Sequence, residues 1–70
     1  QEGLAIYEKI AHRLEEYLTD SGQAFFEIGF NQGPSVQRIF SSACPNRKIT
    51  IHKDIAGMDR MIIVSGKEAQ

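Results

Sequence analysis

Apolar residues fall at Leu4, Tyr7, Ile10, Ala11, Leu14, Tyr17 and Leu18. This is the i, i+3, i+4, i+7 spacing that lines one stripe of an amphipathic helix. The spacing predicts a helix over Leu4–Leu18, with Tyr7 and Tyr17 as core packing. Its wet face carries Glu8, Lys9, His12, Arg13, Glu15 and Glu16. Arg13 and Glu16, three apart, are placed to pair for about 0.2–0.5 kcal/mol. Thr19-Asp20-Ser21-Gly22 closes the helix, Gly22 being suited to the left-handed conformation beyond a helix end.

The period then changes. Ala24-Phe-Phe-Glu-Ile-Gly-Phe-Asn-Gln-Gly33 is the most apolar run of the chain, and Gln23–Phe30 within it reads as a strand. Alternation puts Ala24, Phe26, Ile28 and Phe30 on one face and Phe25, Glu27 and Gly29 on the other. Both faces carry a Phe, which predicts a central strand with helices on both sides. Pro34 suits the first position of a second helix, after Gly33 as N-cap. Val36, Ile39, Phe40 and Ala43 supply its stripe, and Pro45 stops it.

Lys48–Lys53 alternates, with Ile49 and Ile51 inward, as a half-exposed strand. Asp54–Asp59, containing Gly57, reads as a turn. Arg60–Ser65 is apolar on both faces, and Gly66–Gln70 is a polar tail. A helical crossover makes the first two strands run the same way, while the short turn makes the last two a hairpin. The fold class is therefore α/β: a three-stranded mixed sheet, with the antiparallel last strand in the middle. It looks like the edge of a larger doubly wound sheet.

Composition narrows the function classes. Seventy residues make one small unit over 1–70, 41% hydrophobic and 24% charged, which is ordinary globular composition. A net charge of −1 without a basic stripe argues against a nucleic-acid footprint. No window reaches the ~18–20 apolar residues of a membrane span, and no signal peptide is visible. One cysteine, Cys44, excludes an internal disulfide and a Cys-rich metal site. It reads as a small semi-buried apolar residue. His12 and His52 lie far apart with no third ligand nearby, so no metal is expected. A cytoplasmic setting is the simplest expectation. The chain opens Gln1-Glu2-Gly3, without an initiator Met, which reads as a processed chain or a piece of something longer.

Two peptides carry a resemblance. Glu27-Ile28-Gly29-Phe30-Asn31-Gln32-Gly33 precedes a helix, and Lys53-Asp54-Ile55-Ala56-Gly57-Met58-Asp59-Arg60 leads into an apolar strand. Together, with Gly3–Tyr7 ahead of them, they resemble the C-terminal end of the HemK/PrmC family. This is a class I S-adenosylmethionine-dependent methyltransferase family that methylates a glutamine side chain of peptide chain release factors. The resemblance spans Gly3–Val64 and departs at Pro45-Asn46-Arg47, where the family has a Gly-containing turn. It implies S-adenosylmethionine for the parent enzyme and a release factor as its partner. The family's Gly-rich cofactor loop, ribose-binding acid and catalytic Asn-Pro-Pro-Tyr do not occur in this chain. No catalytic or cofactor-binding residue is carried over, and the fragment alone is expected to be inactive with no cofactor bound. An older family label, protoporphyrinogen oxidase, finds no support in a G-x-G-x-x-G turn or in paired His or Cys.

The remaining candidates are positioning or structural residues. Glu27, a carboxylate inside an apolar strand, needs a partner. It would brace active-site loops or form a structural tie, to Arg60 or to a helix N-terminus. Asn31, Gln32 and Gly33 sit at the carboxyl end of a strand, where doubly wound sheets place ligands. Turn chemistry and helix capping explain them slightly better, because by the resemblance the cofactor lies outside this chain. The alternative is a part in shaping the release-factor groove. Asp54 and Arg60, with Lys53 and Asp59, cluster at the hairpin turn as one or two ion pairs. The alternative function is a free-standing α/β module that binds or dimerises without catalysis. The first strand's outer edge, lacking a neighbour, invites pairing with a second copy as a homodimer.

Overall fold

The structure, a computed structural model, describes residues 3–67. Helix α1 spans Leu4–Tyr17, and Leu18 caps it in extended conformation while its N–H donates to the Leu14 carbonyl at 3.1 Å. Ala11 and Leu14 are buried, and Tyr7 packs against the core. Leu18, the last predicted member of the stripe, also packs against the core, but its neighbour does not. Tyr17 is exposed, with the Arg13 guanidinium over its ring at 5.5 Å. Arg13 also makes the predicted pair with Glu16, at 3.5 Å on a wet face. Gly22 does not adopt a left-handed conformation, which among the described residues is confined to Gly3 and Gly57. It closes a turn instead, donating its N–H to the Thr19 carbonyl.

Strand β1 is Ala24–Glu27, shorter than the apolar run that predicts it. Beyond Glu27 only the Ile28 N–H continues the ladder, to the Arg60 carbonyl at 2.9 Å. The chain then folds on itself: Gly29 N–H donates to the Gln32 side-chain oxygen, and Gln32 N–H to the Gly29 carbonyl. Phe30 rides on that turn, exposed rather than in the strand. Helix α2 follows over Gly33–Ala43 with Gln32, not Gly33, as N-cap and Pro34 in its first turn.

Strand β2 is Arg47–Lys53, and β3 is Asp59–Lys67. The last strand thus takes in Gly66 and Lys67 from the stretch that reads as tail, and Lys67 N–H bonds the Asp20 carbonyl at 2.6 Å. The remainder of that tail, like Gln1 and Glu2, lies outside the described residues. The sheet order is β1-β3-β2, with the last strand central as the sequence predicts. β1 and β2 do run the same way, but β3 separates them. Both ladders are therefore antiparallel, and the sheet is not mixed within this chain.

Register sorts the side chains by face. Ala24, Val64 and Ile49 form one cross-strand row, and Phe26, Ile62 and Ile51 the next. Both rows lie under the helices. Val36, Phe40, Ile62 and Val64 are fully buried there, with Phe26 stacked on Phe40 at 5.0 Å and Tyr7 edge-on to Phe40 at 6.4 Å. The alternate rows, Phe25–Ile63–Thr50 and Glu27–Met61–His52, face away. Phe25 is 59% exposed, so the expectation of two covered faces fails. Helices α1 and α2 pack on each other and onto one side of the sheet.

Candidate functional site

Because β1 and β2 run the same way, their carboxyl ends share one end of the sheet. Glu27, Met61 and His52 form its last full row; beyond them stand Ile28 against Arg60 and Lys53 against Asp59. The two peptides that carry the family resemblance, Glu27–Gly33 and Lys53–Arg60, thereby meet at one end. That is the edge at which α/β sheets hold their ligands.

Glu27 does not need the partner that its sequence context demands. Its face of the sheet is open, so its carboxylate stands in water, and Arg60 pairs with Asp54 instead, at 3.0 Å. What anchors Glu27 is its backbone, whose carbonyl accepts the Tyr7 hydroxyl at 2.9 Å. Asn31 and Gln32 border a cleft of about 620 Å³ between the two helices, together with Arg38. Gly33 has a steric reason for its identity. A Cβ there would run into the Asp59 carboxylate, so the bare glycine lets the start of α2 rest against the start of β3. The two motif peptides are packed together through that contact.

The hairpin loop is fixed from within. Asp54 Oδ1 accepts the N–H groups of Ala56 and Met58, both at 3.0 Å, and Oδ2 accepts from Arg60. Asp54 N–H bonds the Met58 carbonyl, Gly57 N–H bonds the Asp54 carbonyl, and Gly57 takes φ 86, a conformation that suits glycine. Lys53 closes the base of the loop on Asp59 at 2.6 Å. The Met58 N–H first, then Arg60, hold the Asp54 carboxyl below its ordinary value. A carboxyl lowered in the folded state supports its loop above the ordinary carboxylate range, and that support fades as pH falls through the lowered value. Exchange of the Ala56 and Met58 amides is therefore expected to gain an extra acceleration, relative to other loop amides, as Asp54 protonates. Hydrogen exchange from pH 5 to pH 2, corrected for intrinsic rates, measures it; parallel profiles for all loop amides would remove Asp54 from this role.

Arg47 lies at the other end of the sheet and carries most of the polar order there. Its side chain is fully buried. Nε bonds Glu15 at 3.0 Å, Nη1 bonds the carbonyls of Gly22 and Ser65, and Nη2 bonds that of Thr19 at 2.8 Å. The hydrogen bond from Arg47 holds the Glu15 carboxyl below its usual value. Burial, with Glu15 nearby, pushes the Cys44 thiol up, consistent with an inert apolar filler. Sequence reasoning missed Arg47. It stands in a turn-like Pro-Asn-Arg, its partner reads as wet-face charge, and 32 residues separate the two.

No family model matches the chain. Over 63 residues, 90% of its length, it is 49% identical to a release factor glutamine methyltransferase of Lactococcus lactis subsp. lactis, of which it covers 23%. It is 43% identical over 61 residues to the enzyme of that name in Enterococcus faecalis, covering 87% of this chain and 22% of that one. A crystal structure of a release factor-specific protein-(glutamine-N5) methyltransferase from Alicyclobacillus acidocaldarius superposes with a TM-score of 0.80 at 29% identity. The match covers 96% of this chain and 42% of that chain. The chain thus spans under a quarter of the length of the two curated relatives. In sequence and in fold, it is a relative of the release factor glutamine methyltransferases and corresponds to one segment of them.

Proposed function

We propose that this segment belongs to a protein-glutamine methyltransferase that moves a methyl group from S-adenosylmethionine to a glutamine side chain of a peptide chain release factor. One observation carries the reading: the two motif peptides of the resemblance converge at the carboxyl end of the sheet, packed through Gly33 and Asp59. The residues of this segment do not themselves make a cofactor site. Asp54 and Asp59 are committed to their own loop and its cations, and the reading assigns the ribose to family elements outside this chain. Orienting the acceptor amide for in-line attack falls to family elements outside this chain. Glu27, Asn31, Gln32, Gly33, Asp54 and Arg60 act as positioning residues that set the shape of this edge. The reading places the enzyme in the cytoplasm, with release factors; among the described residues no helix is long and apolar enough to cross a membrane.

The test is mass spectrometry of a release factor incubated with the full-length protein and S-adenosylmethionine. Methylation of the glutamine supports the reading; an unmodified glutamine overturns it. The isolated 70-residue chain is expected to transfer nothing, and micromolar calorimetric binding of S-adenosylmethionine to it would contradict the assignment of the cofactor site elsewhere.

A second reading, a non-catalytic binding or dimerising module, has its own observation. β1 pairs on one side only within the described residues, and Phe25 stands exposed on the open face. An unpaired edge beside an apolar face favours association. The isolated chain is expected to sediment as a homodimer or larger species, and a clean monomer at high concentration would remove this reading.

A further inference from the structure

The loop between β2 and β3 ends in an apolar side chain that none of the described residues covers. Ile55 is 107% exposed, more than an unhindered reference residue, and Met58 beside it is 43% exposed. Turn tips normally carry Gly, Asn, Asp or Ser, which satisfy the backbone and the solvent together. Here Asp54 and Gly57 already meet the backbone's needs. Ile55 is therefore not required to make the turn, and it packs on nothing among the described residues.

The loop's charges are also cancelled internally. Lys53 pairs with Asp59, and Arg60 with Asp54, so the tip is an apolar point on a neutral base. Its conformation is fixed before any partner arrives, which removes the ordering cost that weakens flexible contacts. Its position is fixed as well, because Gly33 packs against Asp59 and ties the loop base to the turn after β1. Phe30 on that turn is 61% exposed, so a second apolar side chain stands at the same end of the sheet. The relatives are named for acting on a glutamine of a release factor. A protein acceptor has to seat a surface, and not only one side chain, against the edge where the reaction takes place.

We propose that the Asp54–Met58 loop is a docking knob for the release factor, with Ile55 inserted against an apolar patch flanking the acceptor glutamine. The proposal rests on the function proposed above, which leaves the contact surface unassigned. A single buried apolar anchor at a protein interface commonly governs a tenfold or larger share of affinity.

The experiment uses the full-length protein with an intact release factor, comparing wild type, Ile55→Asp and Ile55→Leu. For Ile55→Asp we expect KM and the calorimetric Kd for the release factor to rise about tenfold or more, with kcat held within about twofold. The Kd for S-adenosylmethionine and the melting temperature stay at wild-type values, and Ile55→Leu restores KM. An unchanged KM in an active Ile55→Asp enzyme overturns the docking role and leaves the function standing. A fall in kcat alone, or in melting temperature, also overturns it. Wild-type protein that binds the release factor without methylating it defeats the proposed function, while the Kd comparison still decides the knob.

Discussion

Arg47→Ala is expected to destabilise the protein by about 3–5 kcal/mol, the cost of several buried hydrogen bonds lost together. The guanidinium is fully buried and serves Glu15 and the carbonyls of Thr19, Gly22 and Ser65. Those groups belong to the end of α1, the turn after it and the central strand, so one side chain closes three segments on each other. Removing it takes a buried donor from the carbonyls of Gly22 and Ser65, and each buried polar group left unpaired costs about 1–3 kcal/mol. Glu15 keeps water and Lys67, and the Thr19 carbonyl keeps the Gly22 N–H. Arg47→Lys is expected to recover little. An ammonium offers three donors from one point, whereas these acceptors are spread around a planar fork. Thermal unfolding of the full-length protein should show a fall of roughly 10 °C for either variant. A lysine variant that melts within ~2 °C of wild type would mean that charge alone, and not the fork, secures this end of the sheet.

The element types and the central place of the last strand are legible because each rests on a local period. The stripe Leu4, Tyr7, Ile10, Ala11, Leu14 predicts α1, and the doubly apolar Met61–Val64 predicts a strand flanked on both sides. What the sequence could not show is everything decided across the sheet. Phe25 reads as buried because Phe is apolar, yet both helices gather on the other face. Glu27 reads as a costly buried charge for the same reason, and the open face dissolves that cost. Gly22 and Gly33 read as helix caps from their type. One closes an ordinary turn, and the other is small because Asp59 lies against it.

The site was legible as two peptides but not as one place. Nothing local says that Asn31-Gln32-Gly33 touches the base of the Lys53–Arg60 loop. That follows from the parallel sense of β1 and β2 with β3 between them. The same geometry explains why Arg60 serves Asp54 and not Glu27. The carboxylate six residues away is brought to it by the hairpin itself, while Glu27 points across an uncovered face. Arg47 is the extreme case, since its four partners come from three separate segments.

Phe40→Ala should cost about as much as the loss of Arg47, about 3–5 kcal/mol, by a different route. Phe40 is fully buried, and truncation removes a ring that no neighbour is free to replace in a close-packed interior. The loss is not confined to the core. Phe40 supports Tyr7 edge-on and Phe26 face to face, and Tyr7 in turn holds the Glu27 carbonyl through its hydroxyl. A cavity at Phe40 thus loosens the carboxyl end of β1, the start of the turn that carries Phe30 and Asn31. The expected signature has two parts. The melting temperature falls by roughly 10 °C. Hydrogen exchange of the Ile28 amide, bonded to Arg60, speeds up more than that of Ile62 in the central strand. Phe40→Leu, which keeps much of the volume, should cost under about 1.5 kcal/mol and leave that amide protected. If Phe40→Ala instead opened both amides equally, the core would be failing as a unit, and Tyr7 would have no separate part in holding the site's edge.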